Sequence, residues 1–351
     1  MADDRSTSAL AELVRVRVRE FIREPEAVFW TFVFPLLLAA GLGIAFRNRP
    51  PETVRVAVVG TSPDAQRTVL ALRASKELIV EMVADDSTAN RALHTATVAL
   101  VIGTDAGGGI EYRFDPSRPD ARSARALVND QLQRTAGRND PIAVRDAAVV
   151  ARGSRYIDFL IPGLLAMNIM GSGVWSIAFS IVTARNKKLL KRLIATPMSR
   201  GQYLLSFLVS RLAFLVTEVV VLVGFGALVF DVPMRGSFVT LSVICLLSAL
   251  AFSAIGLLVA SRARTVEAVS GLANLVMLPM WIFSGIFFSS SNFPTAFQSV
   301  IRALPLTATV DALRAAMLQG ASLPSLGSEL AIISGWLVVA FVVALRIFRW
   351  R

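Results

Sequence analysis

The sequence predicts an all-α polytopic membrane protein with six transmembrane helices and a small α/β domain, outside the cytoplasm, between the first and second helices. Three observations predict it. Of 351 residues, 54% are hydrophobic and only 17% charged, with a mean hydropathy of +0.61. Soluble domains run at about 45–50% apolar and about 25% charged, so one globule could not hide this much apolar surface. Six apolar stretches are each long enough to cross a bilayer, and one long polar stretch interrupts them.

The rare residues exclude other classes. The chain carries 36 basic and 25 acidic residues, a net charge of +11. That surplus fits cytoplasmic loops of a membrane protein better than nucleic-acid binding, so no nucleic acid is expected as a partner. A single cysteine, Cys245, and a single histidine, His94, exclude an internal disulfide and argue against a Cys/His zinc site; no metal site is expected. The lysines are Lys76, Lys187, Lys188 and Lys191, and none follows a glycine. A G-x-x-x-x-G-K-[ST] phosphate loop therefore cannot exist here, and any ATP and Mg²⁺ must be bound by another chain. No nucleophile–base pair stands out, so the chain is not expected to be an enzyme by itself.

Taken in order, residues 1–27 place Leu10, Leu13, Val14, Val18, Phe21 and Ile22 at helical spacing, with Arg15, Arg19 and Arg23 on another face. This predicts an amphipathic helix on the cytoplasmic membrane surface, touching membrane lipid, although the Val-Arg alternation at 14–19 also fits a strand. The first span is 28–46, a retained anchor without an A-x-A cleavage site. Residues 47–155 hold 16 basic and 13 acidic residues and read as a water-soluble α/β domain. Strands are expected at Val54–Gly60, Thr97–Gly103 and Ile110–Phe114, and helices at Pro63–Ser75 and Pro119–Ala136. Within 156–351, further spans are expected near 157–182, 203–230, 238–260, 267–288 and 329–345.

Loop charge sets the orientation. With the N-terminus inside, the cytoplasmic pieces 1–27, 183–202, 261–266 and 346–351 hold sixteen basic residues, against three in the short outer loops. Both termini are then cytoplasmic, and the 47–155 domain lies outside.

Two stretches and one polar group carry the functional expectations. In 185–197, Leu189, Leu190, Leu193 and Ile194 form an apolar strip flanked by Lys187, Lys188, Lys191 and Arg192, and Pro197 ends the helix. A basic loop on lipid phosphates and a docking helix for a cytoplasmic partner fit this equally well. In 293–319, Phe293, Phe297, Val300, Ile301 and Leu304 precede Pro305, and Leu306, Val310, Leu313 and Met317 follow it, closed by Gly320. Two helices too short to span, hinged at a proline, predict a re-entrant or interfacial hairpin, the alternative being a surface loop. Asp311 and Arg314, three apart, are placed to pair. Inside the spans, Glu218 and Arg211, seven residues apart, and Asn168 are either polar points on a transport path or ties between helices. Gly171, Gly173 and Gly271 are expected to allow close helix packing. Asp85 and Asp86 read as solvated loop acids rather than ligands.

The order of one anchor, an outer domain and five further spans resembles the permease subunits of ABC exporters of the ABC-2 type. Leu193-Ile-Ala-Thr-Pro-Met-Ser-Arg200 is similar to that family's signature before the third span. Phe283-Ser-Gly-Ile-Phe-Phe288, Asn292-Phe-Pro294, Leu304-Pro-Leu306 and Val310-Asp-Ala-Leu-Arg314 are similar to its signature before the last. Upstream of Leu193 the chain departs from the pattern, with Arg185, Asn186, Lys187 and Lys188 where the family commonly has a glutamate and a small pair. The resemblance implies a bacterial inner-membrane permease that exports an amphiphilic substrate such as a drug, lipid or secondary metabolite. It implies a separate ABC ATP-binding subunit holding ATP and Mg²⁺, and a second permease, identical or related. The 185–197 helix would dock on the ATPase, the N-terminal helix would lie beside it, and the hairpin with Phe293, Pro294, Pro305, Asp311 and Arg314 would cap the outer end of the path. The alternatives are an ion-gradient-driven secondary transporter and a non-transporting receptor or scaffold.

Overall fold

The computed structural model describes residues 12, 14–16, 18, 19, 21–46, 53–104, 109–139, 155–186, 200–263 and 265–347. The chain forms two compact units, Asn48–Ala148 and the rest, Met1–Arg47 with Val149–Arg351.

The smaller unit is an α/β sandwich. Val54–Val59 (β1) leads through Pro63–Arg73 (α2, numbering the helix before it α1) to Leu78–Val83 (β2). Asp86–His94 (α3) then leads to Leu100–Thr104 (β3), Ile110–Arg113 (β4) and Pro119–Thr135 (α4). The strand order is β2-β1-β3-β4. β1 runs parallel to β2, Val54 opposite Leu78, and parallel to β3, Val56 opposite Leu100; β4 is antiparallel to β3. Because successive residues of a strand face opposite sides, Val54, Val56, Val58, Leu100 and Ile102 pack on α2 and α4, while Ala57 and Val101 pack on α3. The first crossover moves one way along the sheet and the second moves back past β1. Right-handed connections therefore put α2 and α3 on opposite faces.

β1, β4, α2 and α4 lie where the residue pattern expects them. The structure adds β2 and α3, which the pattern did not reveal. β2 is Leu-Ile-Val-Glu-Met-Val, with no clean alternation, and α3 is a mostly polar nine-residue helix. β3 begins at Leu100 rather than Thr97, because the chain turns at Ala96 (φ 56°) and the Thr97 N–H is spent on Ala92 O at 2.9 Å. Asp85 caps α3 by accepting from Thr88 N at 2.7 Å. Hydrogen bonds, first from the Ser87 hydroxyl and then from Thr88, hold its carboxyl down at about 2. Asp86 pairs with Arg113 at 2.5 Å.

In the larger unit, described residues between 12 and 23 are helical, which removes the strand alternative at 14–19. Pro25–Ala45 (α1) contains a π turn at Phe29–Val33. Tyr156–Asn186 (α5), Arg200–Phe230 (α6), Phe238–Arg262 (α7) and Val266–Phe283 (α8) follow. Thr295–Ala303 (α9), Pro305–Arg314 (α10) and Gly327–Ile347 (α11) complete it. Among the described residues six helices are long and apolar enough to cross a membrane, as expected of a polytopic membrane protein. The fifth stops at Phe283, short of the expected 288, since the chain turns at Gly285 (φ 75°).

α5 and α7 form the centre: 61% of the most apolar window of each is buried, against 17–22% for the other four. Their backbones nearly touch. A Cβ on Gly256 would sit 2.7 Å from Val174 O, and one on Gly173 would sit 2.9 Å from the Phe252 side chain. Of the glycines expected to allow close packing, Gly173 does so. Gly171 meets only Met277 at 3.9 Å, Gly271 has nothing within 4 Å, and the position that matters most, Gly256, was not singled out.

Candidate functional site

The helices of the larger unit alternate in direction. The end of α1, the start of α5, the α6–α7 loop and the α9–α10 hairpin therefore share one end of the bundle. The end of α5, the start of α6 and the α7–α8 turn share the other. Three groups of polar side chains lie in this frame: one between the helices and one at each end.

The first joins the three polar residues singled out within the spans, one on α5 and two on α6. Arg211 and Glu218 lie two turns apart on one face of α6 and are 5% and 1% exposed. Arg211 Nη1 donates to Glu218 Oε1 at 2.9 Å, and Nη2 donates across to Ile169 O on α5 at 3.3 Å. Ser172 Oγ, also on α5, donates to Asn168 O at 2.6 Å and lies 3.1 Å from Glu218 Oε2. Asn168 Nδ2 in turn donates to Thr31 O on α1 at 3.0 Å. That carbonyl lies four residues before Pro35, which has no N–H to give it, so Asn168 supplies the donor that the proline lacks. The network thus links α1, α5 and α6. Sequence reasoning named Asn168, Arg211 and Glu218 but missed Ser172 and Thr31. The only signal for the latter was Pro35, inside an apolar span.

The second group fixes the hairpin. α10 is buried, with Leu306, Val310 and Leu313 fully enclosed, and Met317 in the π turn Ala315–Gln319 that follows is 1% exposed, so this part is not a loosely lying surface loop. α9 leaves Phe297 and Val300 exposed. Phe293 packs edge-on against Phe283, its ring 5.0 Å away. Pro294 precedes the first turn of α9, and Pro305 opens α10. The expected Asp311–Arg314 ion pair does not form; Asp311 is exposed. Arg314 instead donates to Phe159 O at 3.1 Å and Gly285 O at 2.6 Å, with its guanidinium carbon 3.4 Å from the Phe159 ring centre. The reason is geometric: carbonyls at the start of α5 and after α8 come within reach together, and a planar five-donor fork meets several at once. At the same end Asp158, fully buried, accepts from Arg155 Nη2 at 2.7 Å, and Arg155 also reaches Asp231 O at 3.0 Å. Both acids lie at span ends.

The third group lies at the opposite end. Of the expected docking helix 185–197, residues 187–197 lie outside the described residues, so Lys187, Lys188, Leu189, Leu190, Lys191, Arg192, Leu193, Ile194 and Pro197 are not placed. Its first residues continue α5, and Arg185 Nη1 donates to Ala263 O at 2.8 Å and Ala260 O at 3.3 Å. Among the described residues no group of three or more His, Cys, Asp or Glu is placed to hold a metal ion.

Comparison with known proteins adds a family. A model described as "ABC-2 family transporter protein" matches residues 26–346. The chain is 26% identical over 203 residues to Nodulation protein J of Rhizobium meliloti, covering 57% of this chain and 76% of that protein. It is 27% identical over 201 residues to the inner membrane transport permease YadH of Escherichia coli, covering 56% and 75%. It is also 23% identical over 193 residues to ABC transporter G family member 20 of Dictyostelium discoideum, covering 54% of this chain and 26% of that protein.

Proposed function

Since the chain belongs to the ABC-2 family of transporter proteins, we propose that it is the permease subunit of an ATP-driven exporter in a bacterial inner membrane. It moves an amphiphilic substrate out of the cytoplasm. The observation that carries this reading is the family match over 26–346, which takes in all six apolar helices. It is supported by a sequence that leaves no place for a phosphate loop, so ATP and Mg²⁺ belong to a separate ABC subunit.

In this reading both termini are cytoplasmic, and the Asn48–Ala148 unit is extracytoplasmic. The 185–197 segment docks on the ATPase, with the N-terminal amphipathic helix beside it on the membrane surface. A second permease, identical or related, faces the apolar sides of the outer helices. Closure of the ATPase dimer displaces the docking segments, the spans tilt, and the path opens beneath the hairpin at the far end. Work is done only if the nucleotide state changes which side is open. The Arg211–Glu218–Asn168 network then ties the moving helices and borders the path.

The test is purification from the native membrane in mild detergent. An ABC ATP-binding subunit is expected to copurify, and Leu189, Leu190 and Leu193 changed together to Ser are expected to release it while leaving the permease inserted. Recovery of the chain without any ATPase overturns the reading, and undiminished assembly of the triple variant overturns the docking assignment. Single cysteines at 120 and 188, in a chain with Cys245→Ser, should label from opposite sides of the membrane.

A further inference from the structure

We propose that Arg185 is a positioning residue that fastens α5 to the α7–α8 turn, so that α5 and α7 move as one body when the adjoining segment is displaced. The proposal rests on the reading of 185–197 as the docking segment.

Arg185 stands one residue before the end of α5, where the chain passes into that segment. Its guanidinium donates to two carbonyls at the end of α7, Ala260 O and Ala263 O. These residues are 0% and 2% exposed, so water is a poor substitute partner for their carbonyls. The last carbonyls of a helix lack intrahelical partners and carry its negative dipole end, which favours a cation there. Both bonds leave from one nitrogen, Nη1, which has two hydrogens to give, at the far end of a side chain long enough to cross between the helices. Three residues beyond Ala263, α8 begins, so the same contact holds the turn between α7 and α8. Along their length α5 and α7 are already in backbone contact at Gly173 and Gly256, a packing with no room to slide. Arg185 closes this pair at the end where force would enter. Without it, displacement of the segment after Asn186 would bend the end of α5 away from α7 rather than carry both.

Nitroxide labels at positions 186 and 262, both exposed, read the separation of the two helix ends. The protein is the copurified permease–ATPase complex in nanodiscs, with Cys245→Ser, and the probe is Mg-ATP with vanadate. With Arg185 present, the separation is expected to be the same with and without the trapped nucleotide. In Arg185→Gln, trapping is expected to shift it by roughly 2 Å or more, the scale of helix shifts in switching proteins, and to lower substrate transported per ATP hydrolysed. Arg185→Lys keeps the charge on a stem one bond shorter, which weakens the hold on both carbonyls; it is expected to show a smaller shift, and it serves if the Gln variant does not fold. A purely structural role predicts altered separation without dependence on nucleotide, which overturns the proposal. So does wild-type behaviour of the variants, or a separation that changes on trapping with Arg185 in place. Failure of any ATPase to copurify instead overturns the function proposed above and is seen before any label is read.

Discussion

The Arg211–Glu218 pair allows a prediction with a worked magnitude. At 2.9 Å and an effective dielectric of about 20, the Coulomb attraction is about 6 kcal/mol. Burying the two ions costs several kcal/mol each, so the pair as a whole sits near break-even against apolar residues of similar size. Removing one partner is different, because it strands the other charge among helices. Arg211→Met or Glu218→Leu alone is expected to cost about 3–5 kcal/mol, whereas the double variant costs about 1 kcal/mol or less. Ser172 is not orphaned in either variant of Glu218, since its hydroxyl already donates to Asn168 O. The assay is equilibrium unfolding of the purified chain in bicelles by SDS titration, arranged as a double-mutant cycle. These losses imply a coupling of about 5 kcal/mol or more, beyond the roughly 0.5–3 kcal/mol that contacting residues usually show. Losses that simply add, or a double variant worse than either single one, would refute the reasoning.

Other consequences are as direct. Asn168→Leu leaves Thr31 O without its donor and should cost about 1–3 kcal/mol; in a Pro35→Ala background, where residue 35 regains an N–H, the loss should shrink in the same assay. Gly256→Ala places a methyl against Val174 backbone and should destabilise by about 1–3 kcal/mol, while Gly271→Ala, in a helix interior with open space around it, should hold or raise the melting temperature. Asp85 is held near 2 when folded, below the unfolded value of about 3.9. Its stabilisation is therefore complete above the unfolded value and is lost as pH falls from about 5 towards 2. Hydrogen exchange in the intact chain should show the Thr88 amide losing protection over that interval, and unprotected throughout in Asp85→Ala.

How far residues reveal structure depended on the range of the interaction. The amphipathic repeat around Pro305 announced both hairpin helices, because a helix face is written at a spacing of three and four; it marked the buried positions Leu306, Val310, Leu313 and Met317 after the proline, whereas before it Phe297 and Val300 are exposed. The positions of Asn168, Arg211 and Glu218 were legible as costly polar groups in apolar runs. Their union was not, since it depends on α1, α5 and α6 meeting at one level. Arg314 shows the limit most clearly: its near neighbour Asp311 was the obvious partner, and the folded chain offered it Phe159 and Gly285 instead.

What the sequence determined by itself was the number and order of apolar helices. In lipid a backbone must satisfy its own hydrogen bonds, and a run of about twenty apolar residues has no other way to do so. Only the tertiary structure decided that α5 and α7 stand at the centre, since all six helices are apolar enough to span and only their packing shows which two are enclosed. It also decided where each long cation binds. A guanidinium settles where several acceptors come within its reach at once, and which acceptors those are is known only once the helices have packed.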